Sequence, residues 1–319
     1  MRPPQRAATP LPPLALVGIG GRGPEDVVVD AAGRVLTGTD DGRILRITLP
    51  AQGAPARIEE IARTGGRPLG LDVLADGRLL VCDAERGLLR IAPGSAGPPE
   101  VLAGSVRFCS NAATAADGTV YFSVSSRRYG LSQWQADIVE HTGTGRLLRL
   151  LPGGSPEVLL DGLHFANGVA LSADESYVAV AETGAHRLTR LWLTGPRAGR
   201  HDTLAGNLPG FPDNLSRGAD GTIWTALAAP RQAPLEWLHR APAGVRRRAG
   251  AAATRLRPPA RRGVRILGID PAGRITHDIG RPHARYRMPT SVCEHRGRLI
   301  LGSLVEQAIA ICDLPPRPR

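Results

Sequence analysis

A pattern that occurs six times constrains this chain more than any other feature: an apolar strand running into a tight turn, D-G or A-G in four of the copies, then a second strand and a third. The copies are PEDVVVDAAGRVLTGTDDGRILRITL from Pro24, PLGLDVLADGRLLVCDAERGLLRIAP from Pro68, SNAATAADGTVYFSVSS from Ser110, ANGVALSADESYVAVAETGAHRLTRLWLTG from Ala166, PDNLSRGADGTIWTAL from Pro212 and PTSVCEHRGRLILGSLVEQAIAICDL from Pro289. In the third and fifth copies the last strand arrives late, as GRLLRLLPGG and VRILGIDPAG. Short apolar or alternating strands joined by hairpin turns are what a blade sequence shows. A lone blade cannot bury both of its faces, so the units must pack on one another in a ring. The fold class is therefore all-β, a six-bladed β-propeller over 14–314, with LALVG from Leu14 supplying the strand that closes the ring. Residues 1–13 and 315–319 read as tails. Gly 39 and Pro 28 agree with a turn-rich β protein.

The repeat is not evenly spaced. Copies start 42 residues apart between Pro68 and Ser110 but 77 apart between Pro212 and Pro289. The excess marks two insertions, 127–143 and 229–263, loop or helical in character, that fold over one end of the central channel as a lid. Trp134 and Trp237 lie in them and either roof a substrate or anchor their loops.

Several classes are excluded or disfavoured. No stretch approaches the ~18 apolar residues of a membrane helix, so no integral membrane segment is expected. The N-terminus MRPPQRAATPLPP lacks the apolar core of a signal peptide, which points to the cytoplasm. Cys82, Cys109, Cys293 and Cys312 stand singly with no zinc-ligand spacing and read as free thiols, with Cys82–Cys109 or Cys293–Cys312 pairing left open. The net charge of +11 comes from arginine alone, much of it between Arg231 and Arg265. No aromatic platform or DNA-binding motif accompanies that cluster, so no nucleic-acid partner is expected; it reads as a solvated insertion or a surface for an anionic partner. No G-x-S-x-G elbow or P-loop is present, and GIGGRG, at 18–23, precedes a strand and not a helix, so it is loop.

The residue just ahead of each first strand faces the channel. Around the ring these are Glu25, Leu69, Asn111, Asn167, Asp213 with Asn214, and Thr290. Carboxylate and amide oxygens with no His or Cys among them are hard ligands suited to one Ca²⁺ in the central channel, or less well to another divalent ion. Without the ion, Glu25 and Asp213 repel each other in a low dielectric. Taken singly, each of these residues is also ordinary turn chemistry.

The same residues resemble a known superfamily, the calcium-dependent six-bladed propellers that include gluconolactonases, paraoxonases and strictosidine synthase-like proteins. The resemblance is closest to the strictosidine synthase-like branch, through FANGVALSADESYVAVAET at 165–183, LPGFPDNLSRGADGTIWTAL at 208–227, GRPLGLDV at 66–73 and EHRGRLILGSL at 294–304. It covers about 24–314 and implies that Glu25, Asn111, Asn167, Asp213 and Asn214 hold the metal. It also implies hydrolysis of a small-molecule lactone or ester, the ion polarising the carbonyl and stabilising the oxyanion. Asp213, both ligand and carboxylate, is the first choice of base. His164, three residues before Asn167, is the second, or else a rim histidine without a catalytic part.

Departures from the pattern matter too. Where strictosidine synthase has the glutamate used to condense an amine with an aldehyde, this chain has Thr290. The histidine dyad of paraoxonases is absent from GRPLGL and VCDAERG. Asn111-Ala112 stands where Asn-Asp is common, which weakens a second, structural calcium. Cys109 replaces the arginine of gluconolactonases, so hydrophobic lactones or esters are favoured over sugar lactones. The alternatives are a strictosidine synthase-like condensing enzyme or lyase of secondary metabolism, and a non-catalytic propeller with a structural metal. His186 and Glu182 read as structural, and Glu140 and His141 as solvated lid residues. Substrate identity and oligomeric state stay open.

Overall fold

A computed structural model of the chain describes residues 9–49, 55–94, 97–255 and 260–317. Six antiparallel sheets form in chain order. The first three hold Val27–Val29, Val35–Gly38, Arg43–Thr48 and Arg57–Arg63 (blade 1); Pro68–Val73, Leu79–Asp83, Gly87–Ile91 and Glu100–Ala103 (blade 2); and Cys109–Thr114, Val120–Val124, Gly145–Leu150 and Glu157–Leu163 (blade 3). The other three hold Ala166–Leu171, Tyr177–Glu182, Arg187–Trp192 and His201–Ala205 (blade 4); Gly210–Arg217, Ile223–Pro230, Arg262–Ile269 and Ile275–Arg287 (blade 5); and Pro289–His295, Arg298–Ser303 and Ala308–Asp313 (blade 6). Blade 6 takes its fourth strand from the start of the chain: Ala15–Gly18 pairs antiparallel with Ala308–Asp313. That closes the ring as the sequence anticipates.

The first hairpin of each blade explains why the repeat is legible. Gly77, Gly118 and Gly221 sit at the left-handed turn position with φ of +81, +85 and +81°, and the aspartate before each accepts a backbone N–H two residues on. Blade 4, whose turn reads SADES, places Glu175 there instead at φ 54°.

Packing lies between blades. Six apolar clusters each draw on two neighbouring sheets; Trp224, Ile266 and Ile279 of blade 5 meet Val292, Leu299 and Leu301 of blade 6, and the cluster between blades 2 and 3 holds Leu80, Cys82, Cys109 and Phe122. Each fully buried aliphatic or aromatic side chain there contributes about 1.5–3 kcal/mol. The four cysteines are free.

The start of the chain differs from the expected tail. Thr9–Pro10 adds parallel to the outer strand of blade 5, and Leu11 is buried in the cluster between blades 5 and 6, so the ordered chain begins ahead of Leu14. The proline-rich sequence hid this, since a proline can still serve on a sheet edge. Residues 1–8 and 318–319 lie outside the described residues.

Both insertions are helical. The first carries α1 (Trp134–Glu140) and the second α2 (Ala233–His239) and α3 (Ala243–Ala253). A seventh apolar cluster joins them to the channel mouth: Leu69, Phe108, Phe165 and Phe211 from the blades meet Ile138, Trp134 and Leu235 from the helices.

Candidate functional site

The inner strands of blades 4 and 5 approach so closely that a side chain at position 168 has no room. A Cβ on Gly168 would lie 2.2 Å from the Leu215 nitrogen and 2.5 Å from the Asp213 carbonyl oxygen. The glycine after Asn167 therefore lets Pro212–Asn214 of one blade slide against Asn167 of the next. Both inner strands break register where these residues sit, between Ala166 and Val169 and between Pro212 and Leu215. Such irregularities re-aim side chains, here into the channel.

Residues from distant parts of the chain meet as a result. Asn214 Nδ2 donates to both carboxylate oxygens of Glu25, at 3.1 and 3.0 Å. Asn167 Nδ2 donates to Asp213 Oδ1 at 2.8 Å and to Thr183 Oγ1 at 3.3 Å. Asn111 is set differently. Its Nδ2 donates to Asp26 at 3.2 Å and its Oδ1 accepts from the Val169 nitrogen at 2.7 Å, leaving one lone pair for any further ligand.

Above them is a cavity of about 300 Å³. Glu25, Ser110, Asn167, Thr183, Asp213 and Thr290 supply polar lining from the blades and Gln135 and Gln232 from the insertions, while Leu69, Phe108, Phe165, Phe211, Met288 and Leu304 form apolar walls. Trp134, Ile138 and Val139 of α1 and Leu235 of α2 reach it from the lid.

Buried carboxyls dominate the electrostatics of the site. Burial, then Asp213, pushes the Glu25 carboxyl up to about 8. Burial first, with Asp26 adding to it, raises Asp213 to about 8 as well. Asp26, buried beside Glu25, is raised too. Arg67, whose charge lowers Glu25, donates to the Gly23 carbonyl at 2.9 Å and forms no ion pair among the described residues. The amide oxygen of Asn214 is buried with no hydrogen-bond partner. An orphaned amide oxygen next to two carboxylates that resist ionisation fits a divalent, oxygen-preferring cation. The residues that could hold it are Glu25, Asn167, Asp213 and Asn214, the two amides now turning Nδ2 to the carboxylates, with Asn111 through its remaining lone pair.

Over nearly the whole chain, the sequence is 31% identical to strictosidine synthase-like 7 of Arabidopsis thaliana, across 335 residues that cover 98% of this chain and 87% of that protein. This chain belongs to the strictosidine synthase-like family. Family models for strictosidine synthase and for the strictosidine synthase-like N-terminal region match residues 112–196 and 11–47. Strictosidine synthase-like 6 of the same plant is 37% identical over 211 residues, 64% of this chain and 56% of its own length. Among solved structures, a gluconolactonase from Xanthomonas campestris superposes with a TM-score of 0.65 at 16% identity, covering 98% of this chain and 99% of its own; that likeness concerns the fold.

In this strictosidine synthase-like protein, the last blade offers the site a hydroxyl. Thr290 Oγ1 donates to the backbone carbonyl of Glu25 at 2.6 Å and so positions a candidate ligand without contributing charge. Three further positioning residues escape a reading confined to blade starts. Asp26 accepts from the nitrogens of Val27 and Leu71, both at 2.9 Å, and from Asn111, tying blades 1, 2 and 3 together. Thr183 donates to the Pro212 carbonyl at 2.7 Å, and Ser110 donates to Asn167 Oδ1 at 3.1 Å. The signal for Asp26 was its place beside Glu25; the other two carried none.

His164 is not among the residues that line the cavity. Its ring stacks on His141 of the α1 C-terminus, with centroids 3.7 Å apart, and His141 stacks in turn on His239 of α2 at 4.2 Å. Both His141 and His164 have a buried, unpartnered Nδ1. So His141 is not the solvated lid residue expected from sequence; it pins both insertions to the ring. Burial, then His164 and His239, holds His141 down at about 3, and burial lowers His164 and His239 too. The nearby carboxylates are committed: Glu182 to Arg187, Thr189 and the His164 nitrogen, Glu236 to Arg231, and Glu140 to Tyr129, while Arg246 opposes a further positive charge.

Histidines held neutral stabilise the closed lid above the usual histidine range, and that stability is lost as pH falls below about 6.5 toward 3. His141 alone should increase lid opening about thirty-fold between pH 8 and 5. Hydrogen exchange of 134–140 and 233–239, corrected for intrinsic rates and referenced to blade strands, measures it. A pH-independent ratio would show that the stack does not close the lid.

Proposed function

We propose that this strictosidine synthase-like protein is a divalent-metal-dependent hydrolase of hydrophobic lactones or esters, with Ca²⁺ as the ion. The observation that carries the reading is the pairing of Glu25 and Asp213, two buried carboxyls each raised to about 8, at the floor of an apolar cavity. Glu25, Asn167, Asp213 and Asn214 would hold the cation, which would supply Lewis acidity for a carbonyl oxygen. Asn167 holds the Asp213 carboxylate through its Oδ1, which aims the remaining oxygen for a proton from water. The aromatic and aliphatic walls bind the acyl or alcohol portion and, with the lid, keep bulk water from the scissile bond. The gluconolactonase-like fold supports a lactonase-type reaction, while the cavity's apolar lining favours a greasier substrate than a sugar lactone.

The condensing alternative finds Thr290 engaged with the backbone and no carboxylate at that place. A panel of aliphatic lactones, aryl esters and sugar lactones, with an amine plus aldehyde as comparison, tests the reading. Turnover of long-chain lactones or aryl esters above sugar lactones is expected. Condensation without ester turnover would replace the proposal.

The ion has its own signature. Carboxyls raised in the folded state stabilise the chelated protein at low pH, and that contribution is lost as pH rises from the ordinary carboxyl range toward about 8. The melting temperature of chelated protein should fall across that window. Calcium at a hundredfold over its dissociation constant should restore about 2.7 kcal/mol near pH 8. Identical melting curves with calcium and with chelator would contradict a channel metal.

A further inference from the structure

The charge on this protein is not spread over it. Residues 231–265 hold ten arginines and one acid, Glu236, a net +9; the chain as a whole is +11, from 40 basic and 29 acidic residues, so the remainder carries +2. Thus a nearly neutral propeller bears one strongly basic segment, and that segment is the lid insertion that carries α2 and α3. Arg231 pairs with Glu236 and Arg265 with Asp278, and Arg247 approaches Glu140 at 3.9 Å. Arg240, Arg248, Arg255, Arg261 and Arg262 are exposed and form no ion pair among the described residues.

A second feature of the same segment separates it from a merely solvated basic loop. Trp237 of α2 is 74% exposed and Val245 of α3 is 49% exposed. Two residues before Trp237, Leu235 turns inward and lines the cavity. One short helix therefore presents a large amphipathic ring to solvent on one side and roofs an apolar chamber on the other.

We propose that the lid insertion docks the protein onto an anionic lipid bilayer, arginines against the headgroups and Trp237 in the interfacial layer. Unpaired arginines gain from a negative surface roughly one factor of five in affinity each. Tryptophan suits that boundary because its ring is apolar and its N–H is polar. A lipid surface fits better than another polyanion, since the chamber beneath the docking helices is walled largely by apolar side chains, the lining that suits molecules that partition into membranes. No helix among the described residues is long and apolar enough to cross a bilayer, so the contact is peripheral. The inference concerns binding and does not depend on which reaction the cavity performs.

Co-sedimentation with sucrose-loaded vesicles, read as a partition coefficient, tests it. Wild type should bind vesicles containing phosphatidylserine and not vesicles of phosphatidylcholine alone, with the binding weakened by salt. The triple variant Arg240→Gln, Arg248→Gln, Arg255→Gln should partition about a hundredfold less, and Trp237→Ala about tenfold less. These side chains are exposed, so unchanged melting temperatures will show that the variants are folded. Equal binding to both vesicle types, an unaffected Trp237→Ala, or binding to a DNA duplex with none to anionic vesicles would overturn the proposal.

Discussion

Gly168→Ala is expected to lower the melting temperature by about 6 °C and to abolish the response to calcium. The three atoms nearest the added Cβ are all backbone: the Leu215 nitrogen at 2.2 Å, the Asn214 carbonyl carbon at 2.5 Å and the Asp213 oxygen at 2.5 Å. No rotamer change relieves a clash with main chain, so the inner strands of blades 4 and 5 must separate. Overpacking of that kind costs about 3 kcal/mol, and each kcal/mol corresponds to about 2 °C in a domain of this size. The same separation pulls Asn167 from Asp213, whose 2.8 Å contact joins the two blades at the floor of the cavity. Gly244, at the start of α3 with open space around it, is the control: Gly244→Ala should leave the melting temperature unchanged or raise it by up to about 2 °C. Calorimetry of the two variants with calcium and with chelator decides the matter. A Gly168→Ala protein that melts and responds like wild type would show that the blades do not meet as described.

Asp213→Asn separates holding the fold from doing chemistry. The substitution keeps the shape and leaves an oxygen to accept from Asn167 Nδ2, but removes one of the two carboxylates at the floor. Ester or lactone turnover should fall about a thousandfold, the scale seen when an oxyanion-stabilising group is removed. Stability without metal should move the other way. At pH 8 the chelated wild type confines two carboxyls that burial and mutual repulsion discourage from ionising. Neutralising one is expected to raise the chelated melting temperature by about 2 °C, equivalent to roughly 1 kcal/mol. Loss of turnover with a gain in metal-free stability marks a site under functional constraint. Equal loss of both would mark Asp213 as structural.

The ring was readable because each blade repeats a local rule. An apolar run, a left-handed turn residue and a second apolar run are near neighbours in sequence, and Leu14–Gly18 had the same apolar look as the strands it joins. The floor was readable for a related reason: blade starts occupy equivalent places, so Glu25 and Asp213, 188 positions apart, could be aligned without knowing the structure. Other features depend on where separate loops land. Asp26 binds partners 45 and 85 residues away, which no local pattern signals. His141, His164 and His239 meet only because two insertions from different blades fold over the same edge, so His164 was read as a base on its nearness in sequence to Asn167. Thr9–Pro10 was taken for tail because proline suppresses strand expectation, although an edge strand tolerates it.

The central claim is that the channel holds a divalent cation that takes part in hydrolysis. The most direct measurement is turnover of the best lactone or aryl ester by wild type as purified, after chelation, and after calcium is returned. The account predicts that turnover disappears on chelation and is restored by calcium, and that Asp213→Asn stays inactive throughout. Turnover that survives complete removal of the metal would contradict it.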